Sequence, residues 1–166
     1  MITDPVSGQF SIRFATLNDI PVILQLIKEL ASFENLLHMV VADEKLLEEW
    51  LFQKKVAEVI IGEINNMVIG FSLFFHNFST FLGKPGIYIE DVYVKKDYRH
   101  QGYGKSFFSF IAGLALERGC GRMEWSVLNW NEPAIHFYQS LGANPLKEWT
   151  VYRLTSEGIQ SLAEGN

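Results

Sequence analysis

The chain has 166 residues, 48% of them apolar, and a formal net charge of −5, which fits a single domain over residues 1–166 with its core over about 10–155. The negative balance argues against a nucleic-acid surface, and no apolar run is long enough for a membrane span. The single cysteine, Cys120, excludes an internal disulfide and a multi-cysteine metal site.

Met1-Ile2-Thr3-Asp4-Pro5 lacks the pattern of a signal peptide, so a cytoplasmic protein is expected. Ser11 to Ala15 reads as a first strand. Asn18 or Asp19 can cap a helix running through Pro21 to about Phe33, with Ile20, Ile23, Leu24, Ile27 and Leu30 at helical spacing. A second short helix is predicted over Asp43 to Leu51. Val56 to Ile64 and Val68 to Phe75 read as antiparallel strands around a tight Asn65-Asn66 turn. His76 to Gly86 reads as a loop, followed by a strand from Ile87 to Val94. A helix from Gly104 to Arg118 then carries Phe107, Phe108, Ile111, Leu114 and Ala115 on one face. Arg122 to Leu128 is the next strand. Pro133 suits the first turn of a helix reaching Leu141, with Gly142 placed to end it. Glu148 to Leu154 reads as a last strand before a short polar tail. This order predicts a mixed α/β (α+β) sheet with helices on both faces.

The segment Tyr98-Arg99-His100-Gln101-Gly102-Tyr103-Gly104-Lys105 joins a predicted buried strand to a predicted amphipathic helix. Such a junction leaves backbone N–H groups free at a helix N-terminus, where the dipole favours an anion. Gly102 and Gly104 would let a phosphate approach the backbone, so a phosphorylated ligand is expected. A Walker loop would need glycine where Arg99 stands, and the dinucleotide fingerprint would need glycine at Phe107. What remains is Arg-x-x-Gly-x-Gly between strand and helix.

Glu90 and Asp91 are adjacent acids in an otherwise apolar strand, where a buried charge is costly without partners. Their side chains should face opposite sides of the sheet unless a bulge intervenes. They are either structural acceptors of backbone or basic hydrogen bonds, or acids of a functional site. Tyr138, beside Phe137, is ordinarily a core residue; the alternative is a phenol that acts as a proton donor. His38, His76 and His136 fit no metal spacing, and no metal is expected.

Across Ile12 to about Leu154 the chain resembles the GCN5-related N-acetyltransferases (GNAT), in their diamine and spermidine/spermine acetyltransferase branch. The segments that carry the resemblance are Ile27-Lys28-Glu29-Leu30-Ala31, Tyr88-Ile89-Glu90-Asp91-Val92-Tyr93-Val94, Tyr98-Arg99-x-x-Gly102-x-Gly104, Trp130-Asn131-Glu132-Pro133-Ala134-Ile135-x-Phe137-Tyr138 and Leu141-Gly142-Ala143. The resemblance implies a central, mostly antiparallel mixed sheet with a V-shaped opening for acetyl-CoA between the strands at 87–94 and 122–128. It implies that backbone near Val92 and Val94 holds the pantetheine arm. Arg99 and the backbone of Gln101, Gly102, Tyr103, Gly104, Lys105 and Ser106 would hold the pyrophosphate, and Asn131 and Phe137 would line the CoA arm. Glu90 matches the family's proposed base and Tyr138 its proposed acid. Direct transfer to a small-molecule primary amine, without an acetyl-enzyme, is the implied activity, in a homodimer with contacts near the C-terminal strands; Trp149 and Val151 are either contributors to that contact or internal core. Protein lysine acetylation and a non-catalytic acetyl-CoA sensor are the alternatives.

Two departures bear on the acceptor. His100 stands where many relatives have glycine. Asn35-Leu36-Leu37-His38-Met39 lacks the acids that polyamine-acetylating relatives carry after the first helix, although Glu34 remains. The Ser79-Thr80-Phe81 stretch instead resembles the branch that prefers thialysine or similar amino-acid amines. Glu34, Ser79, Thr80, Lys84, Glu90 and Asp91 are therefore the expected substrate-side groups.

Overall fold

The structure, a computed structural model, describes residues 9–165; the Met1–Pro5 reading lies outside them. The chain divides after Ser126 into two compact units. The first contains strands β1 (Phe10–Phe14), β2 (Glu58–Ile64), β3 (Met67–Ser79), β4 (Lys84–Val94) and β5 (Arg122–Trp125). It also contains helices α1 (Ile20–Phe33), α2 (Glu44–Leu47) and α3 (Tyr103–Glu117). The second contains α4 (Glu132–Ser140) and α5 (Ser156–Ala163).

The five strands lie in chain order in one sheet. Neighbours are antiparallel except β4 and β5, which run parallel. The alternation of β2 decides which helix covers which face. Val59 and Ile61 pack with Phe71 and Tyr93 against Ile23 and Leu26 of α1. Gly62 points the other way, where Phe107 of α3 would lie 2.7 Å from an added Cβ. Helices thus cover both faces of the sheet. Ile23, Leu26, Ile61, Phe71 and Phe107 are fully buried, each contributing roughly 1.5–3 kcal/mol of apolar transfer. Gly70 permits the close approach of β3 to β4, since a Cβ there would collide with the Tyr93 carbonyl oxygen.

Arg13 fixes the start of α1 to the sheet. Its Nη1 and Nη2 each donate to Asp19 at 2.8 Å, and Nη2 also reaches Glu63 of β2 at 2.7 Å. The Asp19 carboxyl, held by that guanidinium, is pulled down to about 2.

Several elements differ from the expectations drawn from the sequence. The helix predicted over 43–51 is one α-turn at α2 followed by a π-helical turn over Glu48–Gln53. The loop predicted over 76–86 is mostly strand: His76 pairs with Ile87, Asn77 with Gly86, Phe78 with Pro85 and Ser79 with Lys84. Its polar, Gly- and Pro-containing composition suggested a loop, but cross-strand pairing extends the hairpin to a turn at 80–83. The fifth strand ends at Trp125 rather than Leu128. No strand forms over 148–154, and the expected polar tail is α5. Among the described residues of the second unit there is no strand for 148–154 to pair with, and alternation alone does not sustain an isolated strand.

Candidate functional site

β4 carries an irregularity where the two acids stand. Asp91 pairs with Leu73 and Ile89 with Phe74, so Glu90 is the extra residue of a β-bulge. The bulge resets the alternation of β4 and lets Ile87 and Ile89 enter the core while Glu90 stays exposed. Ser72, fully buried on β3, donates its hydroxyl to the Asp91 carbonyl oxygen at 2.8 Å and satisfies the backbone beside the bulge. Burial pushes the Asp91 carboxyl up to about 6, and the charges of Glu90 and Glu34 push in the same direction. Glu34 follows the last residue of α1, and burial raises its carboxyl too. Three of the expected substrate-side acids, Glu34, Glu90 and Asp91, are therefore electrostatic neighbours. Such a group, without a basic partner among the causes of the Asp91 shift, favours a cation.

The parallel ladder between β4 and β5 runs from Gly86 to Ile89 and stops at the bulge, while β4 continues to Val94. Val92 and Val94 lie on this continuation, paired on the other side with Ser72 and Gly70. The chain then turns through Arg99, whose Nε donates to the Val94 carbonyl oxygen at 2.9 Å. The Arg99 guanidinium lies over the Phe33 ring at 4.5 Å from its centroid and near Tyr93 at 5.4 Å. Arg99 thus ties the loop to the strand end and to α1, a role that the sequence motif did not reveal.

His100 (φ 63°) and Gly102 (φ 86°) adopt left-handed backbone, which aims the chain into α3. Gly102 is the N-cap, with no side-chain cap, and a Cβ there would meet nothing within 4 Å. The first helical hydrogen bond runs from the Ser106 N–H to the Gly102 carbonyl oxygen at 3.1 Å. The N–H groups of Gly102, Tyr103, Gly104 and Lys105 precede it and face a helix N-terminus where an anion is favoured. Gln101 instead directs its side-chain amide to the Asp97 carbonyl oxygen at 3.3 Å.

Ser79, Thr80 and Lys84 stand at the hairpin tip. Six residues separate Lys84 from Glu90, which at the rise of a strand is roughly 20 Å. The structure does not bring these three residues to the acids within one chain. The Ser79 hydroxyl, buried, accepts from the Leu82 N–H at 3.2 Å and shapes the turn. Phe81 at the tip is 94% exposed.

In the second unit, Asn131 caps α4, its Oδ1 accepting from the Ala134 N–H at 3.3 Å. Phe137 and Tyr138 follow on that helix, both half-buried, with ring centroids 5.5 Å apart.

Residues 24–143 match the Acetyltransferase (GNAT) family. The chain is 37% identical to the thialysine N-epsilon-acetyltransferase of Mus musculus, over 92% of this chain and 96% of the relative. It is 32% identical to the L-ornithine N5-acetyltransferase of Arabidopsis thaliana, over 93% of this chain and 88% of the relative. This protein belongs to the GNAT family. An aminoglycoside acetyltransferase from an uncultured soil sample shares the fold with a TM-score of 0.74 at 22% identity, covering 88% of this chain and 97% of that one.

As a GNAT acetyltransferase, the protein is an enzyme whose family takes acetyl-CoA as co-substrate. The open left-handed turn at Gly102 and the N–H groups that follow it fit a pyrophosphate. Sequence reading singled out the loop and the acids. It did not find the contact of Arg99 with Val94 and Phe33, nor the pair Arg122 and Glu124 on β5, whose Nε and Oε2 lie 3.0 Å apart. The only signal for that pair was two opposite charges at strand spacing.

Proposed function

We propose that this protein transfers an acetyl group from acetyl-CoA directly to a primary amine of a small molecule: a diamine, a polyamine, or an amino acid of the thialysine or lysine kind. The observation that carries this reading is the convergence of Glu34, Glu90 and Asp91 at the bulge where the β4–β5 ladder ends. Acids gathered there attract an alkylammonium ion. The named activities of the thialysine and ornithine relatives support the same acceptor class.

Acetyl-CoA supplies the acyl thioester. Val92 and Val94 flank the arm of the co-substrate, and Gln101, Gly102, Tyr103, Gly104, Lys105 and Ser106 present backbone to its pyrophosphate. Arg99 holds that loop against the end of β4, while Asn131 and Phe137 border the CoA arm. Asp91 and Glu34 attract and orient the ammonium group. Glu90 accepts its proton, directly or through water, which frees the nitrogen lone pair. As the N–C bond forms and the C–S bond breaks, Tyr138 gives its phenolic proton to the sulfur, and the second proton leaving the nitrogen returns to the phenolate through solvent, which leaves an amide, a neutral thiol and a neutral Tyr138. Ser79, Thr80 and Lys84, too distant within one chain, serve as substrate groups only in a homodimer that brings the hairpin of one copy to the acids of another. The whole chain then acts as a single cytoplasmic N-acetyltransferase domain.

Tyr138→Phe removes the donor and keeps most of the ring packing, so kcat should fall at least tenfold with little change in unfolding temperature. Glu90→Gln should lower kcat/KM and shift the rise of the pH–rate profile. Unchanged turnover of Tyr138→Phe under conditions where chemistry limits the rate would remove its assignment. A wild-type profile in Glu90→Gln would do the same for the base.

A further inference from the structure

β5 carries a charge pair that none of the roles above uses. The Arg122 Nε lies 3.0 Å from Glu124 Oε2, at an angle that makes an ion-pair contact without a hydrogen bond. Glu124 Oε2 also accepts from the Asn77 side-chain amide of β3 at 2.8 Å. The remaining contact of the guanidinium is a long one, from Nη2 to the Phe78 carbonyl oxygen at 3.4 Å. Among the described residues, Glu124 Oε1 and Arg122 Nη1 have no hydrogen-bond partner. A guanidinium has five donors and a carboxylate accepts on both oxygens, so each member keeps much of its bonding capacity open. Both side chains are partly exposed, at 35% and 26%.

Register places this pair on the face that holds the acids. Leu73, Phe75 and Asn77 alternate onto one face of β3 and pair with Asp91, Tyr88 and Gly86. Tyr88 and Gly86 in turn pair with Glu124 and Arg122. From Asp91 the face therefore runs through Phe75, Tyr88 and Glu124 to Asn77 and Arg122. Phe75 and Tyr88 stack at 5.3 Å between centroids, and the Tyr88 hydroxyl meets the Ser126 hydroxyl at 2.6 Å. The row of Glu124 is two to three residues along β4 from Glu90 and Asp91, roughly 7–10 Å. The four- or five-bond chain between the terminal amine and the α-carbon of an ornithine- or lysine-like amino acid spans roughly 5–7 Å, and the side chains of Arg122 and Glu124 can reach the difference.

We propose that Arg122 and Glu124 form a subsite for the zwitterionic head of an α-amino acid, the guanidinium taking its carboxylate and Glu124 Oε1 its ammonium. Asn77 is a positioning residue, since it holds Glu124 by the oxygen that the ligand does not need. The aromatic pair Phe75–Tyr88 lies beneath the aliphatic part of the acceptor. This arrangement sets regiochemistry, because the terminal amine reaches the bulge while the α-amine is held on β5. It rests on the amine-acetylation reading and narrows the acceptor to a basic amino acid.

The test compares L-ornithine with putrescine, which lacks the carboxylate, and with 5-aminopentanoate, which lacks the α-ammonium. Acetyl-CoA-dependent thiol release and calorimetric binding are both measured, for wild type, Arg122→Gln, Arg122→Lys and Glu124→Gln. The expected result is at least a tenfold fall in the ornithine-to-putrescine ratio of kcat/KM for Arg122→Gln, with partial recovery in Arg122→Lys. Glu124→Gln should lower the ornithine-to-5-aminopentanoate ratio by a similar factor. Selectivity ratios unchanged in both glutamine variants would overturn the subsite, as would wild-type protein that neither binds nor acetylates ornithine. If wild type binds ornithine, binding weakens tenfold in Arg122→Gln, and none of the three amines is acetylated, the subsite stands and the acetyl-transfer reading falls.

Discussion

Asp91 shows what the bulge does at the scale of one residue. Its carboxyl rises from an ordinary 3.8 to about 6 because burial and two neighbouring acids penalise its charge. An acid raised in the fold favours its neutral form there, so its contribution to stability is fully present below about 4. That contribution is lost as pH climbs through about 6, and no further loss follows above. Asp91→Asn should therefore unfold at a higher temperature than wild type above pH 6, by on the order of 1–3 kcal/mol of stability, with the difference vanishing towards pH 4. Thermal unfolding across that range checks it; a stability difference independent of pH would contradict it. In its proposed role the same charge attracts the acceptor, so KM for the amine should fall in wild type as pH rises through 6, and not in the variant. Two adjacent acids in an apolar strand were a visible anomaly in the sequence. Their gathering with Glu34 was not visible, because it depends on a one-residue slip of pairing between Leu73 and Phe74 and on the place where α1 ends.

Among the elements, the β3–β4 hairpin departs furthest from its sequence reading. Its outer half looked like a loop because Asn77, Ser79, Lys84, Pro85 and Gly86 are weak strand formers. Pairing with a neighbouring strand overrides that weakness. A long hairpin carries Phe81, 94% exposed, far from the acids of its own chain. The homodimer proposal gives that tip a purpose. Sedimentation equilibrium should show a dimer at micromolar concentration, and Phe81→Ser should weaken it and raise KM for the amine. A monomeric wild type with full activity would remove both the dimer and the substrate role of Ser79, Thr80 and Lys84. The helices α1, α3 and α4 were legible within a residue or so, since apolar spacing marks α1 and α3, and Asp19 and Pro133 mark the starts of α1 and α4. The strand expected at 148–154 was not sound, because alternation reports a half-buried surface only when a partner strand exists. Trp149 and Val151 instead remain 73% and 83% exposed.

For the molecule as a whole, the mixed, mostly antiparallel sheet with helices on both faces and the loop into α3 are the parts that sequence and structure describe alike. The mixed sheet, with its one parallel pair, ends its β4–β5 ladder at the bulge that bears the acids. The left-handed turn at Gly102 begins the helix whose N-terminus suits the pyrophosphate. Acceptor identity was least legible, since the side chains proposed to bind the acceptor come from segments that are distant in sequence. Thiol release from acetyl-CoA, run in parallel with thialysine, lysine, ornithine, putrescine, spermidine and a lysyl peptide, separates these acceptors. Small primary amines should turn over, with thialysine, lysine or ornithine preferred over spermidine and over the peptide. Tight acetyl-CoA binding with no turnover of any small amine, or turnover of the peptide alone, would contradict acetyl transfer to a small amine.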